Sequence, residues 1–419
     1  MQDRLKKTDK RAITRRGVLW LGQTCNQRCY FCYFINRIED HSHPEHAFMS
    51  LEKAKDICST LRNVFGNTAI DIQGGEPTIY KEILELIRHC RDIGLIPTLI
   101  TNGLVLGTPG VLEKYRDAGV RDFLVSLHGI GDIHDEVVRV KGAYKKIVAS
   151  IERMQEIGLP FRINCTMSKP VIPILTEVAG HAIRYGAYAV NFIAFNPFGD
   201  QYGTRQSETV ARYSEVAEQL TKAMDMLDEA GIETNVRYLP LCMAEERHRK
   251  NFYNFQQLTY DTHEWDFQSW AWTMRVTQMS KEGGIMPPFL MGGPYGRELQ
   301  NGDAVYIRAH AERRPLVQGI KFIGQRALTR VVQKLRGLDT IYREEARIRA
   351  SRDCQYKYHT ACETCSARDI CDGFHGDYAE LFGTDEARPI TGISRIQDPR
   401  HYINRQEKTV EPEDESWAL

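Results

Sequence analysis

The chain lacks net charge: across its 419 residues, 55 Lys and Arg balance 55 Asp and Glu. With no global field of either sign, nothing in the composition favours nucleic acid or an anionic membrane surface as a partner. It also lacks any apolar run approaching the ~20 residues of a membrane-spanning helix. Its first residues, MQDRLKKTDKRAITRR, are basic and have no apolar stretch, so they do not form a secretory signal. No internal repeat is visible, and no Ser-His-Asp or paired-carboxylate constellation stands out. Cysteine, by contrast, is plentiful, with 11 residues. In an unexported chain this points to a reducing compartment, the cytoplasm by default, and to thiolates that serve metals rather than disulfides. Hydrophobic residues make up 42% of the chain, enough for a proper core, and the length suits one large domain with an appendage or two to three ordinary ones.

Three of the cysteines, Cys25, Cys29 and Cys32, fall in the string CNQRCYFC. Their C-x3-C-x2-C spacing puts three thiolates on one short loop. A cubane iron–sulfur cluster is normally held by four Cys, so this set leaves one iron open to another ligand. The spacing does not match the paired C-x2-C patterns of zinc sites. About 40 residues on, the strand-like run Ala69–Gln73 is followed by Gly74-Gly75-Glu76-Pro77. Paired glycines let a backbone approach a ligand closely, and a carboxylate can accept bonds from an ammonium group. A strand-to-helix turn would use the same residues.

These two strings together resemble the radical S-adenosylmethionine (radical SAM) superfamily, in which an aromatic, here Phe31, precedes the third Cys. The resemblance implies a [4Fe–4S] cluster on Cys25, Cys29 and Cys32, the catalytic triad of ligands. Its open iron is chelated by the amino and carboxylate groups of SAM. Reductive cleavage of the sulfonium then releases a 5′-deoxyadenosyl radical that abstracts hydrogen from an unactivated C–H bond. In the family, GGEP binds the SAM amino group. The protein's share is positioning and the exclusion of side reactions.

From residue 17 to about 238, strand-like runs alternate with amphipathic helical patterns. The strands are expected at 17–21, 69–72, 97–101, 122–127, 161–166 and 189–195, and the helices at 51–65, 81–93, 144–157, 173–185 and 208–230. Six βα units in series predict a parallel sheet with right-handed crossovers, fewer than the eight units of a closed TIM barrel. A partial (βα)6 TIM-like barrel is also what the resemblance implies. Ligands of such folds sit beyond the carboxyl ends of the strands, where the Cys loop and GGEP fall. Carried over from relatives, Ser126 and Asn164 are expected near the SAM ribose and carboxylate, and Phe195 near the adenine. Arg139, after His134-Asp135, is expected at the carboxylate. Local capping or turn bonding is the alternative for each polar residue.

The remainder divides by composition. Residues 1–16 read as a flexible basic N-terminus. Residues 239–350 read as an irregular insertion: eight aromatics lie between Phe252 and Trp272, including Trp265, Trp270 and Trp272, and Gly-Pro clusters follow. Between Arg308 and Lys357, 13 Lys or Arg meet five acidic residues, and apolar residues at near-helical spacing (Val331 and Leu335 among them) suggest an amphipathic basic helix. A solvated face explains this, as would an anionic, for example phosphorylated, substrate read by Arg330, Arg336 and Arg343. In 351–405, Cys354, Cys362, Cys365 and Cys371 form C-x7-C-x2-C-x5-C, sufficient for a closed cluster or for zinc. The C-x2-C-x5-C part resembles the auxiliary-cluster region of the SPASM and twitch subgroups. A further Cys of that pattern is replaced here by His375, which favours one auxiliary [4Fe–4S] cluster, either an electron relay or a structural element. Cys242 is either an additional ligand, a free buried thiol or a hydrogen-atom donor. Cys58, Cys90 and Cys165 fall in helix or strand patterns and read as core. The acidic tail 406–419 reads as disordered.

The resulting expectation is a radical SAM enzyme that acts on a small-molecule metabolite, reduced by a flavodoxin or ferredoxin, with no nucleic acid and no membrane span. Only 24 residues precede Cys25, too few for a leader-binding module there. A peptide-maturing enzyme is the alternative. No cobalamin module is evident upstream of the barrel. From another class, a non-catalytic iron–sulfur or zinc electron carrier leaves GGEP unexplained. A zinc-stabilised nucleic-acid module lacks the basic-aromatic interleaving it would need.

Overall fold

In the computed structural model the described residues are 7–8, 16–22, 24–32, 47–63, 67–195, 206–258, 331, 334–336, 350–351 and 354–410. Eight parallel strands lie side by side in chain order: β2 (Arg16–Trp20), β3 (Ala69–Gln73), β4 (Ile96–Thr101), β5 (Asp122–Ser126), β6 (Phe161–Met167), β7 (Ala189–Ala194), β8 (Glu233–Arg237) and β9 (Phe252–Tyr253). Strictly sequential parallel order requires a crossover between neighbours, and helices supply most of them: α1 (Leu51–Asn63), α2 (Ile83–Asp92), α3 (Val111–Ala118), α4 (Asp132–Val138), α5 (Ala143–Glu156), α6 (Leu175–Tyr185) and α7 (Tyr213–Glu229). The sheet is open, with β2 and β9 at its edges. Buried on both faces, the strands read as near-continuous apolar runs such as Phe123–Val125, while each helix buries one stripe, as Ile83, Leu86, Ile87 and Cys90 do on α2.

All six expected strands are present, and two more extend the sheet. β8, with the sequence ETNVR, has too little apolar content to stand out, and β9 is two residues long. β9 therefore places the start of the supposed irregular insertion within the sheet. The short helices α3 and α4 were also not anticipated. Cys58 and Cys90 are buried free thiols 3.5 Å apart between α1 and α2, and Cys165 is buried in β6, in keeping with a packing role.

A buried polar network ties the strands together at the amino end of the sheet. Arg16 bonds Asp71 and, at 3.0 Å, Thr98; Thr98 and Tyr188 donate to Asp122, which also pairs with Arg162 at 3.2 Å. Burial alone would raise the Asp122 pKa, but Arg162, Arg121 and Arg16 hold it well below the usual carboxylate range. The flexible-terminus reading of 1–16 is corrected at two points: Arg16 is buried in this network, and β1 (Lys7–Thr8) pairs antiparallel with β10 (Lys408–Thr409).

The reading of 406–419 as disordered is corrected over its first five residues. Lys408 is fully buried, with Nζ 3.2 Å from Glu233 Oε1 and 2.6 Å from Asn235 Oδ1, and the Thr409 amide donates to Glu233 at 2.7 Å. A charged side chain tolerates such burial only when paired, and β8 carries the partners. Before the tail, residues 354–405 fold against the barrel. α8 (Gly376–Phe382) places Tyr378 flat on Tyr213, ring centroids 3.6 Å apart, and its hydroxyl accepts from the Tyr213 amide at 2.8 Å. The tryptophan-rich segment and most of the basic helix lie outside the described residues; there, Val331 and Leu335 are exposed.

Candidate active site

The residues singled out in the sequence converge at the carboxyl end of the sheet. Past β2 and β3 the chain is stitched by backbone: the Gly75 amide donates to Gly22 at 2.8 Å, and the Glu76 amide to Thr24 at 2.9 Å. Gly74, at φ +128°, sits where a Cβ would lie 2.7 Å from the Gly22 oxygen and 2.9 Å from its nitrogen, so only glycine permits this approach. The GGEP string and the cysteine loop are thereby one unit. The loop is anchored on its other side by the Arg28 amide, which donates to Val138 at the end of α4 at 3.1 Å.

Within the loop Cys25, Cys29 and Cys32 are half-buried free thiols. The Cys25 sulfur accepts from the Gln27 amide at 3.4 Å and from Asn102 Nδ2 at 3.8 Å. Burial, then the Glu76 carboxylate, push the Cys25 thiol up to about 12, and the Cys32 thiol adds to the shift. Burial and the repulsion of Cys32 and Cys25 raise Cys29 too. Three such thiols ionise together only if a cation joins them, so the donor set fits a cluster of positive irons. Gln27 fits as well: it is buried, and its amide nitrogen has no acceptor among the described residues. Arg139, at the left-handed C-cap of α4, is close enough to lower the Cys29 pKa. Among the described residues no three His, Cys, Asp or Glu side chains are gathered closely enough to hold a single metal ion.

Glu76 also has a structural use. Its carboxylate is buried: Oε1 accepts from the Thr78 amide at 3.0 Å, Thr78 Oγ1 at 2.5 Å and Thr101 Oγ1 at 2.7 Å, and Oε2 accepts from the Asn102 amide at 2.7 Å. The side chain thus locks β3 to the end of β4, and Oε2 keeps an acceptor position beyond the Asn102 bond. Pro77 begins the 3-10 turn Pro77–Ile79 that Glu76 caps.

Aromatic rings line the opposite side. Phe31 meets His128 edge-on at 4.5 Å and Phe195 at 6.3 Å, and Tyr30 meets Phe195 at 6.0 Å. Ser126, the last residue of β5, and Asn164, in the middle of β6, are direct partners in the strand register, both half-buried. Sequence reasoning missed the Tyr30–Ser168 hydrogen bond of 2.6 Å. Asn102 and His128 lie in the strings Thr101-Asn102-Gly103 and Ser126-Leu127-His128-Gly129, candidates by their place at strand ends but with no role assigned from sequence. His128 Nδ1 accepts from the Thr166 amide and His134 Nδ1 from the His128 amide, each at 3.0 Å. Both rings must be neutral to do so. Burial lowers the His128 pKa, and the His134 pKa is lowered by burial to about 4.

A second cysteine group borders a small cavity, partly open to solvent, between the loop after β8 and the C-terminal segment. Cys362, Cys365 and Cys371 line it, and Cys242 lines it with them. Cys354 is buried in a separate hydrophobic cluster with Tyr253, Phe255 and Ile403.

The cysteine-loop half of the chain has known counterparts. Residues 21–177 match the family model described as "Radical SAM superfamily". An AdoMet-dependent heme synthase of Oleidesulfovibrio alaskensis is 32% identical over 206 residues, 48% of this chain and 51% of that protein. A probable GTP 3′,8-cyclase of Sulfurisphaera tokodaii is 28% identical over 43% of this chain and 55% of its own length. A PqqA peptide cyclase of Bradyrhizobium diazoefficiens is 26% identical over 50% and 54%. The chain thus spans about half the length of the curated relatives it matches. Among solved structures, Streptococcus suis SuiB bound to S-adenosylmethionine aligns over 54% of this chain and 50% of its own at 17% identity and a TM-score of 0.45.

Proposed function

We propose that the chain is a radical SAM enzyme acting on a small-molecule metabolite, a reading supported by the match of residues 21–177 to the radical SAM family model. Cys25, Cys29 and Cys32 would hold a [4Fe–4S] cluster, with SAM beside it. When bound, that pair supplies reductive cleavage of the sulfonium to a 5′-deoxyadenosyl radical. The protein's own residues bind, orient and exclude. The GGEP turn, with its Gly74–Gly75 backbone and the Glu76 carboxylate, presents acceptors to the SAM ammonium. Ser126, Asn164 and Arg139 take the ribose and carboxylate. Phe31, Phe195, Tyr30 and His128 supply an apolar wall that keeps water from the reacting end.

The observation that supports this most is the backbone stitching of GGEP to the cysteine loop, which makes two separate sequence strings into one site. An electron carrier has no use for it. SAM binding tests the reading: anaerobically reconstituted protein should retain labelled SAM in equilibrium dialysis and a Cys29→Ala variant should not. Equal retention by both, or by neither, would remove it.

Three readings go with this proposal. The C-x2-C-x5-C segment holds an auxiliary [4Fe–4S] cluster of SPASM or twitch type. A flavodoxin or ferredoxin is the reductant. The small-molecule reading draws on relatives named for heme and GTP chemistry, while the PqqA peptide cyclase relative favours a peptide. Deuterium transfer into 5′-deoxyadenosine from labelled candidates of each kind separates these two.

A further inference from the structure

Chain order pairs Cys354 with the three cysteines that follow it, but the fold groups them otherwise. The loop after β8, 120 residues before Cys362 in the sequence (362 against 242), brings Cys242 to the cavity that Cys362, Cys365 and Cys371 line.

The Ile390 amide donates to Cys365 at 3.3 Å, a bond of the kind that stabilises a thiolate and tunes a cluster's potential. Leu241, next to Cys242, and Arg388, Pro389 and Ile390 of the C-terminal segment line the same pocket. Gly373 holds its place at φ +88°, where a Cβ would meet the Lys357 oxygen at 2.5 Å. The site is built from both segments at once. Cys354, meanwhile, is packed among Tyr253, Phe255, Tyr356 and Ile403, and its carbonyl accepts from the Gly376 amide at 3.0 Å.

We propose that Cys242, not Cys354, is the fourth ligand of the C-terminal iron–sulfur site, completing it with Cys362, Cys365 and Cys371. The assignment rests on the auxiliary-cluster reading given above. It makes the site a clamp between the barrel and the C-terminal segment, closing the long connection between them. With four protein thiolates the site has no open iron, so its chemistry is structural or electron transfer rather than substrate ligation.

The experiment uses the full chain with Cys25, Cys29 and Cys32 changed to Ala, so that only the C-terminal site can hold iron. After anaerobic reconstitution with iron and sulfide, this background should carry about four irons per chain and an EPR signal on reduction. Adding Cys242→Ala should cut iron and sulfide severalfold, and adding Cys354→Ala should leave both unchanged. Cys242→Ser keeps a ligating oxygen in place and should retain iron with an altered EPR spectrum, which separates ligand loss from misfolding. Full iron in Cys242→Ala, an unaltered spectrum in Cys242→Ser, or loss confined to Cys354→Ala would each overturn the assignment. A background protein that takes up no iron would instead overturn the auxiliary-cluster reading on which it rests.

Discussion

Replacing Glu76 by Gln separates two roles that the GGEP motif allows. If the carboxylate is a ligand for the SAM ammonium, the substitution weakens SAM binding and leaves the empty protein's stability alone. The structure predicts a stability effect in the SAM-free protein. Thr78 and Thr101 place three donors on Glu76 Oε1 and the Asn102 amide one on Oε2, and the residue is 1% exposed. Gln keeps one oxygen for the two threonine groups but turns an NH2 toward the Asn102 amide, donor against donor. One buried donor left unsatisfied costs about 1–3 kcal/mol, partly offset because a neutral amide is less costly to bury than a carboxylate. That corresponds to a Tm lowered by about 2–12 °C at the usual slope for a sizeable domain. Glu76→Ala strands all the donors together and should fall at or beyond the upper end of that range. Thermal unfolding of the SAM-free proteins, followed by circular dichroism, gives the ordering wild type, Gln, Ala. Unchanged Tm in both variants with SAM affinity lost would refute the structural role.

Other perturbations have equally definite outcomes. Gly74→Ala forces a Cβ into the Gly22 backbone at a positive φ, so iron uptake at the cysteine loop should fall and Tm should drop, at a cost of about 2–5 kcal/mol; normal iron content would contradict this. Lys408→Ala removes the ammonium beside the buried Glu233 carboxylate and should lower stability to urea by about 3–5 kcal/mol; a neutral result would mean that the tail does not dock as described. His134 is neutral when folded, with a pKa lowered to about 4 against an ordinary value near 6.5. The unfolded chain therefore binds the extra proton, and the stability this group contributes is intact above about 6.5 and lost as pH falls toward 4. The urea midpoint should decline over that window, and His134→Asn should flatten the decline; parallel profiles would remove the assignment.

Much of the fold was legible because its core strands are apolar runs bounded by turn residues. Phe123, Leu124 and Val125 could be read as a strand without any tertiary information. β8 and β9 could not: Glu233, Thr234 and Asn235 are polar residues satisfied by Lys408, Gln406 and Asn251 from distant segments, so the reason for their burial lies outside any local window. The same distinction holds at the sites. Cys25, Cys29 and Cys32 were found by spacing because one loop carries them all. Cys354 was grouped by spacing and Cys242 was left undecided, although the fold puts Cys242 at the cavity, since a ligand from a distant loop leaves no periodic trace. Glu76 was legible as important but not in its role, which depends on donors from Thr101 and Asn102 at the end of another strand.

The central claim is that the cysteine loop and GGEP together perform reductive SAM chemistry. The most direct test is anaerobic: reconstituted protein is mixed with dithionite and SAM, and 5′-deoxyadenosine is quantified against a Cys29→Ala control, with and without candidate substrates. The account predicts nucleoside from the wild type and none from the variant. No nucleoside from wild-type protein carrying its full iron, with every candidate substrate present, would contradict it.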